Sequence, residues 1–144
     1  MKVVVKAFAL AVVLAFTTFA CGGDDTVTAP STATAPQPLL FEGQLTVGGS
    51  AFYSFTVAST GLTNVMLASV TTTSAPGNSS AVVLGLAIGT PLGSDCTITS
   101  AVPTAAGLTS QLVNNLTPGT YCARVYDIGN LKSTVNFAIR ILHT

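Results

Sequence analysis

After Pro38 the chain alternates apolar and polar residues in short runs broken by Gly, Pro, Asn and Ser. That period of two is the mark of half-buried β-strands, and no stretch of this region sustains the 3.6-residue period of a helix. Ser50 to Ala58 shows the alternation best: Ala51, Tyr53, Phe55 and Val57 fall on one face, expected to meet the core, with Phe52, Ser54 and Thr56 on the other. Val135, Phe137, Ile139 and Ile141 repeat it near the C-terminus, with Thr134, Asn136, Ala138 and Arg140 expected to face water. Before and between these two, strands are predicted near 39–47, 62–72, 81–89, 94–101, 108–115 and 119–127. Their expected breaks are Gly48-Gly49, Thr60-Gly61, Pro76-Gly77-Asn78, Pro91, Pro103 and Pro118-Gly119. Eight short strands with a turn every dozen residues predict an all-β fold, an antiparallel sandwich of Greek-key or jelly-roll type.

The first 38 residues follow other rules. Met1 to Lys6 carries two lysines, and Ala7 to Ala20 is uncharged and ends in a small residue, the anatomy of a signal peptide over residues 1–20. A membrane-spanning helix needs roughly 20 apolar residues, more than this run supplies. Cys21 directly follows the small residue, and Phe19-Ala20-Cys21-Gly22 resembles the processing site of bacterial lipoproteins. That resemblance implies a diacylglycerol thioether on Cys21, cleavage before it, and acylation of the new amine by a fatty acid such as palmitate. Thr18 stands where those proteins prefer an aliphatic residue, and an ordinary secretory leader with an incidental cysteine is the alternative. Gly22, where an Asp would signal inner-membrane retention, leaves the outer membrane or cell surface open as the destination. Residues 21–38, rich in Thr, Ala and Pro without an aromatic ring, cannot bury enough surface to fold and form a tether. One domain, 39–144, remains.

Composition narrows the chemistry. Beyond the leader three basic residues, Arg124, Lys132 and Arg140, stand against five acidic ones, a formal balance of −2. With no basic stripe, nucleic acid is excluded as a partner. With Cys21 committed to lipid, Cys96 and Cys122 are an even pair in an oxidising compartment and are expected to form a disulfide.

The second half carries a resemblance. Leu116-Thr117-Pro118-Gly119-Thr120-Tyr121, the strand Cys122-Ala123-Arg124-Val125-Tyr126 and the closing strand Val135-Asn136-Phe137-Ala138-Ile139 resemble the bacterial pre-peptidase C-terminal (PPC-like) domain. The match extends back to Gly43 and Tyr53-Ser54-Phe55-Thr56-Val57, most of residues 40–142. Cys96 together with Tyr121 to Leu131 is also similar to bacterial lipoproteins with a paired-cysteine sandwich. Both imply a β-sandwich and an accessory role, and neither implies an activity.

Candidate chemistry is sparse. The only histidine, His143, is next to the C-terminus, where a frayed residue makes a poor general base, and no Gly-x-Ser-x-Gly elbow is present. Glu42, Asp95 and Asp127 are the domain's only carboxylates, the minimum for a glycosidase pair and each equally at home in a strand or turn. Once the cysteines are paired, zinc lacks ligands; calcium would draw on Asp127, Asn130 and carbonyls, a weak site with one carboxylate. No cofactor is implied. Phe52 and Tyr126 alternate away from the core and are the candidate ligand-binding rings, for a sugar or a peptide, although Trp is absent. The expected function is therefore a non-enzymatic, lipid-anchored envelope module for interaction or structure, touching an envelope protein or a glycan. Its rivals are a carbohydrate- or peptide-binding accessory module and a small hydrolase.

Overall fold

The computed structural model describes residues 37–72 and 81–144; the leader, Cys21, most of the tether and the Pro76-Gly77-Asn78 turn lie outside them. Eight strands follow one another: β1 Leu39–Leu45, β2 Ser50–Val57, β3 Gly61–Thr72, β4 Leu84–Leu92, β5 Asp95–Thr104, β6 Leu112–Leu116, β7 Gly119–Tyr126 and β8 Val135–His143. They form two four-stranded antiparallel sheets, A in the order β1-β8-β3-β6 and B in the order β2-β7-β4-β5. This is the jelly-roll member of the predicted class. Each strand pairs with its mirror partner across the β4–β5 turn, 4 with 5, 3 with 6, 2 with 7 and 1 with 8, and β3–β8 and β4–β7 then join these pairs into sheets.

The core lies between the sheets. Sheet A sends in Leu45, Val65, Leu67, Val70, Phe137, Ile139 and Ile141; sheet B sends in Phe55, Val57, Leu84, Leu86, Ile88, Ala123 and Val125. A fully buried Leu, Ile or Val contributes on the order of 1.5–3 kcal/mol relative to exposure. Ala51 and Tyr53 are half-buried and pack against this cluster, so the predicted core face of β2 is the observed one. Tyr53 stacks on Phe41 with centroids 4.9 Å apart and meets Phe137 edge-on at 6.2 Å. Its hydroxyl donates to the Glu42 carbonyl at 2.8 Å. Gly43 makes room for it, because a Cβ there would run into that hydroxyl and the Phe137 ring. The Pro118-Gly119 turn is closed by Tyr121, which packs on the core and donates to the Thr117 carbonyl at 3.0 Å. The Leu-x-Pro-Gly-x-Tyr motif thus acts as a corner between the sheets.

Several boundaries differ from the sequence reading. Pro91 and Pro103 lie inside β4 and β5 rather than ending them. Beyond Gly89, β4 no longer pairs with β7, and β5 is an edge strand, so each proline sits in a strand with one free side. β6 starts at Leu112 and not near 108, because the preceding loop bonds to β3 through Gly107 N–H to the Leu67 carbonyl (2.9 Å) and Gln111 N–H to the Val65 carbonyl (3.2 Å). Gln111 Oε1 also accepts from Leu67 N–H at 2.8 Å, beside the bulge between Leu67 and Ser69. Ala138, expected in water, is 8% exposed. It points outward, but its methyl is shorter than Glu42 and Ser69, its partners on the flanking strands.

The Cys96–Cys122 disulfide is present, its Cα atoms 6.0 Å apart. It joins β5 to β7, which lie on either side of β4 in sheet B. Both cysteines are buried, yet neither belongs to the apolar cluster between the sheets. Because the bond closes a chain separation of 26 residues, its reduction is expected to lower the unfolding free energy by about 3.5 kcal/mol, read from urea midpoints with and without reductant.

Candidate functional site

The two rings nominated from sequence come to one face. On the outside of sheet B, Phe52 pairs with Arg124 and Ser50 with Tyr126, so the rings flank one guanidinium. Arg124 lies 5.9 Å from the Tyr126 ring centroid. It donates through Nη1 to Asp95 Oδ1 at 2.9 Å and through Nη2 to Ser50 Oγ at 3.0 Å. Asp95 Oδ1 also accepts from Cys96 N–H at 2.8 Å, which ties the ion pair to the disulfide. Tyr126 lies over Gly85 of β4, where a Cβ would run into the ring. This is the arrangement in which an aromatic neighbour covers a glycine's bare backbone. Phe52 and Tyr126 are both half-buried. The face is one connected cluster whose charged groups bond to each other.

The carboxylates do not converge. Glu42 belongs to sheet A, Asp95 opens β5 in sheet B, and Asp127 follows β7 in a turn. Asp127 Oδ1 accepts from the N–H groups of Gly129 (2.8 Å), Asn130 (2.9 Å) and Leu131 (3.1 Å), and Oδ2 accepts from Gly48 N–H (2.8 Å). Its own N–H donates to the Gly49 carbonyl at 3.0 Å. One side chain therefore holds the β7–β8 turn and the β1–β2 turn together. These donors, with the Gly48 bond foremost, hold its carboxyl below the ordinary 3.8. Both oxygens face N–H groups, and the Asn130 amide donates to the Val83 carbonyl at 3.3 Å, so the pair nominated for calcium serves the turn instead. Among the described residues no three His, Cys, Asp or Glu side chains gather as metal ligands.

His143 is not frayed. β8 runs through it, and Thr144 N–H bonds to the Leu62 carbonyl at 3.0 Å, because β3 begins early enough to pair with the chain end. The imidazole Nε2 lies 2.9 Å from the Ser59 carbonyl and Nδ1 lies 2.8 Å from Thr63 Oγ1. A carbonyl only accepts, so in the neutral ring Nε2 carries the proton and Nδ1 accepts from the Thr63 hydroxyl. Hydroxyl, imidazole and carbonyl have the connectivity of an activated nucleophile. Thr63, however, is completely buried, and this linkage satisfies a polar group inside the sandwich.

The outside of sheet A was not nominated from sequence. Glu42, Gln44, Ser69, Thr71 and Asn136 line a groove of about 440 Å³ whose floor includes Ala138 and Gly43. Their side chains make no hydrogen bond among the described residues, in contrast to the sheet B face. A second hollow of about 320 Å³ at the other end of the face is lined by Pro38, Asn64, Met66, Leu108, Arg140 and Leu142 among others. Sequence carried only part of the signal. Asn136 and Arg140 were read as outward, but which residues of β1 and β3 stand beside them depends on a register that two distant hairpins set.

No family model and no curated protein matches the chain. Among solved structures, the periplasmic g-type lysozyme inhibitor PliG of Aeromonas hydrophila aligns at TM-score 0.49 and 14% identity, over 78% of this chain and 90% of that one. The Yersinia pseudotuberculosis-derived mitogen aligns at TM-score 0.48 and 9% identity, over 74% and 86%. The jelly roll rests on the strand pairing of this chain alone.

Asp127 yields a pH prediction. A carboxylate whose folded pKa is depressed stabilises the fold above its unfolded pKa, and that contribution is lost as pH falls through the folded value. Asp127→Asn, which turns an amide toward the Gly48 N–H, is expected to lower stability near pH 7. It should also flatten the loss of stability below about pH 4, as measured by thermal unfolding across pH.

Proposed function

We propose that this chain is a non-enzymatic module of the bacterial envelope, anchored through lipid on Cys21 and working by surface contact. The observation that carries this reading is the contrast between its two outer faces. On sheet B the ionised and aromatic groups bond to one another around the disulfide. On sheet A the groove side chains and Arg140 have no hydrogen-bond or ion-pair partner among the described residues, leaving them available to a partner. Asp95, Asp127 and His143, by contrast, have structural partners: Asp95 bonds to Arg124, Asp127 to four backbone amides, and His143 to Thr63 and Ser59. The resemblance to the PPC-like domain fits an accessory role of this kind. Among the described residues no helix is long and apolar enough to cross a membrane, and the anchor is the cysteine. Intact mass of the protein from a bacterial membrane fraction tests this: residues 21–144 plus acyl chains are expected, with two thiols appearing only after reduction. An unacylated, secreted product would remove the anchor.

A carbohydrate ligand is the second reading, favoured by the groove. Amides, hydroxyls and one carboxylate side by side suit the vicinal hydroxyls of a glycan, whose hydrogen bonds need both donors and acceptors. No ring other than the buried Phe137 lines the groove, so stacking contributes little and affinity would depend on multivalent display. A glycan array probed with the multimerised domain is expected to show binding that Asn136→Ala weakens about fivefold, the effect of one lost hydrogen bond. No signal above background on any glycan would end this reading.

A further inference from the structure

The outer face of sheet A changes character along its strands. The row Gln44–Asn136–Thr71 and the row Glu42–Ala138–Ser69 are polar or small. The next outward rows, Leu40–Arg140–Met66 and Leu142–Asn64–Val113, are mostly apolar around one cation. Leu108, 92% exposed, stands beside Met66, Arg140 and Leu142 from the loop before β6. Leu40, Leu62 and Val113 on the same end are each more than half exposed. Scattered surface leucines need no explanation, but a set gathered at one end of one face does. This end is also where the chain enters the sandwich, because β1 begins at Leu39. Residues 22–38 separate that point from Cys21, a stretch that spans at most about 60 Å when fully extended.

We propose that the apolar end of sheet A is the surface on which the domain rests against the lipid bilayer; this builds on the lipid-anchor reading. Tethering by a short linker keeps the face at high effective concentration at the bilayer, so a contact too weak for a free protein becomes populated. Leu40, Leu62, Leu108 and Val113 enter the boundary between headgroups and acyl chains, and the Arg140 stem carries its guanidinium to the phosphates. Arg140 is exposed and forms no ion pair among the described residues. The polar groove and the sheet B cluster remain accessible to partners.

The test uses the full chain recovered from a bacterial membrane fraction and reconstituted into protein-free vesicles of phosphatidylcholine and phosphatidylglycerol. The sequence has no tryptophan, so Leu108→Trp supplies a single reporter. Leu92→Trp, at the exposed last residue of β4, is the control. The Leu108→Trp emission is expected to shift to the blue and to be quenched by brominated lipid, with the control unchanged. In the acylated chain carrying the Leu108→Trp reporter, Leu40→Asp is expected to lower the ratio of docked to undocked domain about tenfold, the effect of removing one partly inserted leucine, read as loss of the blue shift and of the quenching. An acylated chain that floats with the vesicles while Leu108→Trp stays in water overturns the proposal and leaves the anchor standing; a protein partner would then be the occupant. A chain that is unacylated and does not float overturns both.

Discussion

Every strand of this sandwich finds its mirror partner across the β4–β5 hairpin, and the fold therefore hangs on closing contacts between residues far apart in the chain. β8 is the decisive case: it lies between β1 and β3, and sheet A has no centre until it docks. Its inward residues, Val135, Phe137, Ile139 and Ile141, are all nearly or fully buried, so the last strand of the chain completes the core. Long-range pairing of this kind carries the loop-closure entropy before it gains burial. The disulfide between β5 and β7 acts on the same difficulty, since it shortens the unfolded chain between the two halves of sheet B.

Polar residues in the domain mostly work as pins at the points where the chain crosses between sheets. Asp127 gathers four backbone amides from two turns at one end of the sandwich. Tyr121 and Tyr53 each combine core packing with a hydroxyl bonded to a nearby carbonyl. His143 fixes the chain end by bridging Thr63 and the Ser59 carbonyl. The charges of Asp95, Arg124 and Asp127 have local partners, and among the described residues the interior keeps its polar side-chain atoms bonded apart from Asn114 Oδ1 and Arg124 Nε, which are buried without one.

The sequence carried the architecture further than the site. Alternation in β2 and β8 identified the core faces because a half-buried strand must repeat every second residue, and the cysteine pair followed from compartment and count. What misled was punctuation: Pro91 and Pro103 read as breaks, yet a proline is compatible with a strand that has a free side, and which side is free depends on tertiary pairing. His143 misled for the same reason, since position in the chain says nothing about whether a neighbouring strand reaches the end. Phe52 and Tyr126 were legible as outward residues, but the glycine beneath Tyr126 and the guanidinium between the rings are set by the register of three strands, β2, β7 and β4. The sheet A groove was invisible because its five polar residues come from three strands brought together by long-range pairing.

The two outer faces divide stability from recognition. On sheet B, the ion pair, the disulfide, the cation over Tyr126 and the covered glycine are mutually connected, so a substitution made there for binding would disturb the fold as well. Sheet A has no such network on its outside; its stability comes from the inward side chains of the same strands. Residues such as Gln44, Asn136, Met66 and Leu108 can therefore change with little cost to the core, because outward substitutions away from caps, cavities and paired charges are typically near neutral. A surface free of structural duty is where a small domain can acquire contacts without loss of fold. The jelly roll supplies that freedom by placing β8 in the middle of sheet A, its inward residues sealing the core while Asn136, Arg140 and Leu142 stand in the outward rows.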